Sequence, residues 1–313
     1  MVTTPSSRLF YFSLALFFLS ALSLAEEFHW SIELIAHFRE YLLMLSALTL
    51  IVFFRRISLS SWSTYFLVAS FLIHFVALAF FWLTTAEPPV ASKSTSVTYK
   101  IFLANINSSN RERHLLLEYL EKSEDDTVVL HEVTKAWGEA LATQKNFAFA
   151  KFIPLESNFG IAVLSRFPIE VLDVLTDREN MIPHLIVKND LPGQPLNLAT
   201  VHAFPPIGGY GHLINQRHLE TIASKVRELR GPVLVCGDFN STPWTRRFSQ
   251  FLDLANLNFE STLSSIIRSW PNIALLPKIP IDFCLTRDMS IIDVGVGPNI
   301  GSDHKSIQYK LQL

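Results

Sequence analysis

The chain has 313 residues, 49% of them hydrophobic and 17% charged, with a formal net charge of −2. That near-neutral balance argues against avid nonspecific binding of nucleic acid, which runs on clustered Lys and Arg. Two cysteines, Cys236 and Cys284, are too few for a zinc site, and since buried free Cys is common in strands we expect them unbonded rather than paired.

Only five of the 26 basic and five of the 28 acidic residues precede residue 97, and this N-terminal third is dominated by apolar runs. Leu9 to Ala25 is nearly all apolar, and Ser23-Leu24-Ala25 before Glu26 resembles a signal-peptidase site, so the segment reads as either an anchor or a cleaved signal. Residues 41–54 form a second run, too short to span a bilayer without help. Extending its helix back to Ile32 brings in Glu33, His37, Arg39 and Glu40, which would have to snorkel or pair at the interface. A buried core helix is the alternative for this piece. Residues 62–83 are apolar with only His74 ionisable, and at about 1.5 Å per residue they match a hydrocarbon core of about 30 Å. Arg8 before the first run and Arg55-Arg56 after the second place those ends in the cytoplasm by the positive-inside rule. The chain after Leu83 would then lie outside, and on the other side if the second run does not span. Residues 1–86 thus read as a transmembrane anchor of two or three helices, and 87–96, with Pro88-Pro89, as a short linker.

From residue 97 the pattern alternates strand-like and helical runs, which indicates an α/β domain over 97–313. The run Tyr99 to Ala104 ends at Asn105, and a helix is expected over Arg113 to Lys122. Thr127 to Leu130 leads to Glu132, and Leu196 to Val201 leads to His202. Gly208-Gly209-Tyr210-Gly211 lacks the Lys-Ser/Thr tail of a phosphate-binding P-loop and reads as a mobile loop. Leu213 to Arg230 shows an apolar helical face at Leu219, Ile222, Ala223, Val226 and Leu229. Pro232 to Cys236 reads as a buried strand ending at Gly237, so Asp238 and Asn240 of Gly237-Asp238-Phe239-Asn240 would sit at its mouth. A helix over Trp244 to Ala255 follows, then Asp282 within Ile281-Asp282-Phe283-Cys284-Leu285, and finally Ser302-Asp303-His304. Taken singly these polar residues have ordinary uses: Asn105 closing a turn, Glu132 starting a helix, Asp238 capping one, His202 satisfied at a strand end. Five strand-like runs each bearing a terminal residue suited to metal or phosphate is what favours a shared site.

The order Asn105, Glu132, His202, Asp238-x-Asn240, Asp282, Asp303-His304 resembles the endonuclease/exonuclease/phosphatase superfamily over roughly residues 97–313. The stretch Asn158-Phe159-Gly160-Ile161-Ala162-Val163-Leu164-Ser165-Arg166-Phe167-Pro168 strengthens the resemblance. It implies a four-layer α/β/β/α sandwich with the site at one end, and Mg2+ (or Mn2+) as cofactor. It implies Glu132 as principal metal ligand, with Asn105 and Asp303 as lesser ligands or supports. Asp238 would orient or deprotonate the attacking water, Asn240 and His202 would donate to phosphoryl oxygens, and His304 would face the phosphate, its tautomer held by Asp282. An anchor of three helices ahead of such a domain resembles a membrane-bound bacterial branch of the same superfamily, which implies the inner membrane.

Three residues depart from the family pattern. Asn107 offers an amide where a second carboxylate is usual, His131 precedes Glu132 in place of Gln, and Phe283 follows Asp282 where many members have His. The expected function is a membrane-anchored phosphoesterase acting on a lipid head group, a nucleotide or nucleic acid. The alternative is a binding or sensor domain that kept the fold. A third reading, transport by the helices, has little to support it, because a lone midspan histidine offers no pathway. Arg246-Arg247 is a local patch that could contact phosphates, whereas His131, His184, His212 and His218 are expected to be structural or solvent-exposed.

Overall fold

The computed structural model describes residues 5–53, 61–85, 98–176, 181–259 and 266–312. The linker 87–96 and Arg55-Arg56, on which the orientation reading rests, lie outside the described residues.

Four helices come first: α1 (Pro5–Leu22), α2 (Trp30–His37), α3 (Arg39–Phe53) and α4 (Trp62–Thr85). Two stretches, Ser7–Ala25 and Trp62–Thr84, are long and apolar enough to cross a membrane, or three if the pair α2 and α3 is one broken span. Their few polar side chains satisfy each other: Ser70 Oγ meets Ser20 Oγ at 2.6 Å and Ser46 Oγ at 2.9 Å, and His74 Nε2 meets Ser20 Oγ at 2.9 Å. The continuous helix expected back to Ile32 is instead broken at Phe38, where α2 and α3 bend by 61°. The bend lets the polar residues before it leave the direction of α3 and lie against the following domain.

That domain is built from β1 (Thr98–Asn105), α5 (Arg113–Lys122), β2 (Thr127–His131), α6 (Lys135–Leu141), β3 (Phe149–Ile153), β4 (Ile161–Ser165), β5 (Ile169–Thr176), β6 (Pro183–Asp190), β7 (Pro195–His202), α7 (Gly208–Glu228), β8 (Val233–Asp238), α8 (Arg246–Ala255), β9 (Asp282–Arg287), β10 (Ser290–Val296) and β11 (Ile307–Gln312). One sheet has the order β10-β11-β1-β2-β4-β3, the other β5-β6-β7-β8-β9. Alternate residues of each strand face opposite layers. Ile101 and Leu103 therefore join Val129, Val163, Leu198, Leu234 and Cys236 between the sheets, while Phe102 and Ala104 face α5 and α6 with Leu116, Leu120 and Trp137. On the far side Ala223, Val226 and Phe248 of α7 and α8 cover Val235 and Leu285. This is the α/β/β/α sandwich expected from the sequence.

A buried polar cluster ties the sheets together. Asn189 of β6 donates to Tyr99 Oη at 2.7 Å and Thr127 Oγ1 at 2.8 Å, and accepts from Ser165 Oγ at 3.1 Å. Ser165 is the serine of the Leu-Ser-Arg stretch, and the Arg166 side chain donates to the Ser123 and Asp125 carbonyls, so that motif serves packing here. Gly237 is required by closeness: a Cβ there would lie 1.7 Å from the Val201 carbonyl oxygen. Cys236 and Cys284 stand directly opposite each other on antiparallel β8 and β9 and form a disulfide, which corrects the expectation of free thiols. Gly208–Gly211 likewise is no loop but the first turn of α7.

Candidate active site

Parallel β1–β2 and β7–β8 pairs end at the same edge of the sandwich, because parallel strands run their carboxyl ends together. Asn105 pairs in register with His131, and His202 with Asp238. Asp238 in turn stands opposite Asp282 across the β8–β9 ladder. The residues singled out from sequence converge there, around Asn105 and Asp238.

Asn105 Nδ2 donates to Glu132 Oε1 at 3.0 Å and to Asp238 Oδ2 at 3.2 Å, so one amide bridges two carboxylates from different sheets. Glu132 has a φ of 64°, a left-handed conformation that costs a non-glycine residue about 1–3 kcal/mol. It aims the carboxylate inward, where Ser108 N also donates to Oε2 at 2.9 Å. Asp303 receives Asn107 Nδ2 at 2.8 Å on one oxygen and Trp270 Nε1 at 3.2 Å on the other. Asn107, the departure from the family's second carboxylate, is thus a donor to Asp303.

Asp238 is buried at the centre. Its Oδ2 lies 3.8 Å from His202 Nε2 and 3.9 Å from His304 Nε2, and its Oδ1 accepts from Asn240 N at 2.9 Å. Burial, then the nearby Asp282 carboxylate, push the Asp238 carboxyl up to about 7. His304 Nδ1 binds Asp282 Oδ2 at 2.8 Å. Burial alone would lower the His304 imidazole, but Asp282, Asp238 and Asp303 outweigh it and raise the group to about 10. His202 is pushed down to about 3 by burial and by His304, so it is neutral and can act only as an uncharged donor or acceptor. Asn240 Nδ2 donates to the Ala203 carbonyl at 2.9 Å, which uses one of its two amide hydrogens.

Asp238, Asp282 and His304 offer ligand atoms within 4.8 Å of one another, a group that could hold a metal ion. A protonated His304 already supplies a positive charge between these two carboxylates. Glu132, whose carboxylate is met by the Asn105 amide and the Ser108 N–H and by no cation among the described residues, fits a hard divalent ion better.

Sequence reasoning missed the aromatic wall. Phe159 stacks on Phe204 at 5.5 Å and approaches His202 at 5.0 Å, while Trp270 lies 6.4 Å from the His304 ring. Phe159 sits inside the stretch that carried the resemblance, but nothing marks Phe204 or Trp270 locally. His131 is buried with neither ring nitrogen hydrogen-bonded, 5.4 Å from His202 ring to ring, and burial first keeps it well below the usual histidine range. Phe283 faces away from the site, packing at 5.4 Å on both Phe248 and Phe259, so its difference from the family pattern falls in the outer core.

A family model described as the Endonuclease/Exonuclease/phosphatase family matches residues 102–304, and the chain belongs to that family. Similar folds occur in D. rerio TDP2 complexed with a single-strand DNA product, at 15% identity, TM-score 0.58 and covering 69% of this chain and 99% of that one. SmcL is similar at 12% identity and TM-score 0.53, covering 69% and 99%. A beta toxin variant from Staphylococcus aureus, at 13% identity and TM-score 0.51 over 68% and 99%, holds bound magnesium ions. No curated protein matches in sequence.

Proposed function

We propose that this chain is a membrane-anchored, divalent-metal-dependent phosphoesterase that hydrolyses a phosphodiester or phosphomonoester by in-line attack of water. The observation that carries it is the convergence of Glu132 and Asp238 on Asn105, with His202 and His304 flanking Asp238. Glu132, bonded by Asn105, would hold Mg2+ or Mn2+, with Asn105 and Asp303 as lesser ligands or supports, and when bound the ion supplies Lewis-acid polarisation of a phosphoryl oxygen. Asp238, raised to about 7, takes a proton from water near neutral pH, where a base is most effective. His304, held by Asp282, presents its Nε2 side as a cation against phosphoryl charge, and neutral His202 and the second amide hydrogen of Asn240 donate to the same oxygens. Phe159, Phe204 and Trp270 limit water at the mouth.

The domain division 1–86, 87–96 and 97–313 belongs to the same proposal. So does placement in a bacterial inner membrane with the catalytic domain outside the cytoplasm, which the Cys236–Cys284 disulfide supports, since such bonds persist in oxidising compartments. The second reading, a phosphate-ligand-binding domain without turnover, draws on Asn107 occupying Asp303 where a carboxylate would add charge. Hydrolysis of bis-p-nitrophenyl phosphate, DNA and phospholipid by the full chain in detergent, with Mg2+, Mn2+ or EDTA, separates the two. Metal-dependent turnover lost in Asp238→Asn supports the hydrolase. Silence under every metal, with phosphate binding intact, supports the binding domain.

A further inference from the structure

Beside the catalytic edge, where the N-terminal helices meet the sandwich, lies a cavity of about 380 Å³ lined among others by Tyr41, Arg268, Leu276, Lys278, Val296 and Lys305. Its wall is shared between α3 and the domain. Tyr41 Oη donates to the Lys278 carbonyl at 2.7 Å and accepts from Lys278 N at 2.7 Å, and Arg268 binds Glu40 of α3 through two bonds of 2.8 and 2.6 Å. Arg268 is thereby neutralised. Among the described residues, no carboxylate pairs with the ammonium groups of Lys278 or Lys305, and both line the same half-buried space. Two unpaired cations side by side repel each other and call for an anion.

The surroundings select which anion. Tyr41 opens a stripe at helical spacing on α3, continuing through Met44, Leu45 and Leu48, all three of them exposed. Leu276 of the cavity wall is exposed as well, as is its chain neighbour Leu275. A cationic recess at the head of an apolar helix stripe matches a molecule with an anionic phosphate at one end and hydrocarbon at the other. We propose that this cavity binds the phosphate head group of an anionic phospholipid, with its acyl chains lying along the Tyr41–Leu48 stripe, as a site separate from the one that performs the chemistry. The inference rests on the reading of the N-terminal helices as membrane-embedded. It seats a bilayer lipid one residue from His304, through Lys305, and so fixes the catalytic edge at the membrane surface.

The test uses the full chain extracted in mild detergent and reconstituted into nanodiscs of phosphatidylcholine with about one-tenth phosphatidylglycerol. Lipid retained by the protein is then read by native mass spectrometry. The wild type should retain phosphatidylglycerol well above its share of the bilayer. Each lysine replaced, in Lys278→Gln and Lys305→Gln, should reduce that enrichment by about fivefold, the worth of one juxtamembrane cation. Lys278→Arg should restore it, and Lys278→Gln should leave hydrolysis of a soluble substrate and the melting temperature unchanged. Equal retention of the two lipids by the wild type, or enrichment that survives the double Gln variant, overturns the proposal. Displacement of the lipid by millimolar inorganic phosphate also overturns it, because the cavity would then serve a soluble anion. A chain released from membranes without detergent sinks the membrane reading itself, whereas a detergent-requiring chain with no lipid preference sinks only this inference.

Discussion

Where the N-terminal helices meet the sandwich, carboxylates pair one to one with arginines; at the candidate site the buried Asp238 and Asp282 share His304. Arg247 binds both oxygens of Glu33 at 2.6 and 2.9 Å, with His212 2.7 Å from the same carboxylate, and Arg39 reaches the Trp244 and Ser23 carbonyls at 2.9 and 2.8 Å. His37 Nδ1 meets Thr242 Oγ1 at 3.1 Å, and Trp244 Nε1 donates to the Ala36 carbonyl at 3.0 Å. At the edge, burial and the Asp282 carboxylate raise the cost of ionising Asp238, Asp282 Oδ1 and His202 Nδ1 are buried without hydrogen-bond partners, and Glu132 is held in a left-handed backbone. The same residue types thus dock one face and arm another. What separates them is the balance of charge: a carboxylate with its own arginine resists change, whereas two carboxylates sharing one histidine leave negative charge for a ligand to meet. The residues that sequence reading sent to a bilayer interface (Glu33, His37, Arg39, Glu40) or to phosphate (Arg246, Arg247) belong to the docking set.

The sharpest test is Asp238→Asn. Loss of the base should lower kcat by about 10²–10⁴-fold, while the melting temperature holds or rises, because a desolvated carboxyl is removed. A fall in both would mean that Asp238 is a packing residue. Next in size is Arg247→Ala, whose side chain is 10% exposed and whose partner Glu33 is 3% exposed. It leaves a buried carboxylate short of its main partner and should destabilise by about 3–5 kcal/mol. The double variant Glu33→Met, Arg247→Met should recover most of that loss in a denaturation series, and failure to recover would break the claim that the pair only docks.

The pH profile should be bell-shaped. Asp238 must be deprotonated, so kcat/KM should fall below pH about 7, and His304 must be protonated, so it should fall again above about 10. His304 is raised in the folded state, so the stability it contributes is full below its unfolded value near 6.5 and is lost as pH rises through about 10. Asp282→Asn should move the alkaline limb downward, and an unmoved limb would assign it to another group. The smallest effect belongs to Arg246→Ala: its ion pair with Glu27 joins side chains 62% and 40% exposed, so the change should cost no more than about 1 kcal/mol.

Much of the candidate site was legible because its residues sit at strand ends, and strand ends are local events. The apolar run before Asn105, the run before His202 and the glycine before Asp238 each mark an end without reference to anything distant. Helix α5 was legible to the residue, since its boundaries depend on its own periodicity. The bend at Phe38 was not, because the break is stabilised by Arg247, Thr242 and Trp244, more than two hundred residues away. Nor was the start of α7, where Gly208 to Gly211 joins the helix although glycine is a poor helix former. Gly211 allows the close approach, since a Cβ there would lie 2.6 Å from the Pro205 carbonyl.

The sequence by itself determined the alternation of strands and helices, the apolar N-terminal runs and the polar residues that close the strands, because alternation with periods of 2 and 3.6 and the chemistry of each side chain are properties of neighbours along the chain; the layer order followed from the family resemblance that those residues carry. Only the tertiary structure decided that Cys236 bonds Cys284, that Glu33 and Glu40 hold arginines rather than meet lipid head groups, and that Lys278 and Lys305 share a cavity with Tyr41. Those outcomes depend on strand register and on which helix packs where, and register is set by the sum of many distant contacts that no single stretch of sequence contains.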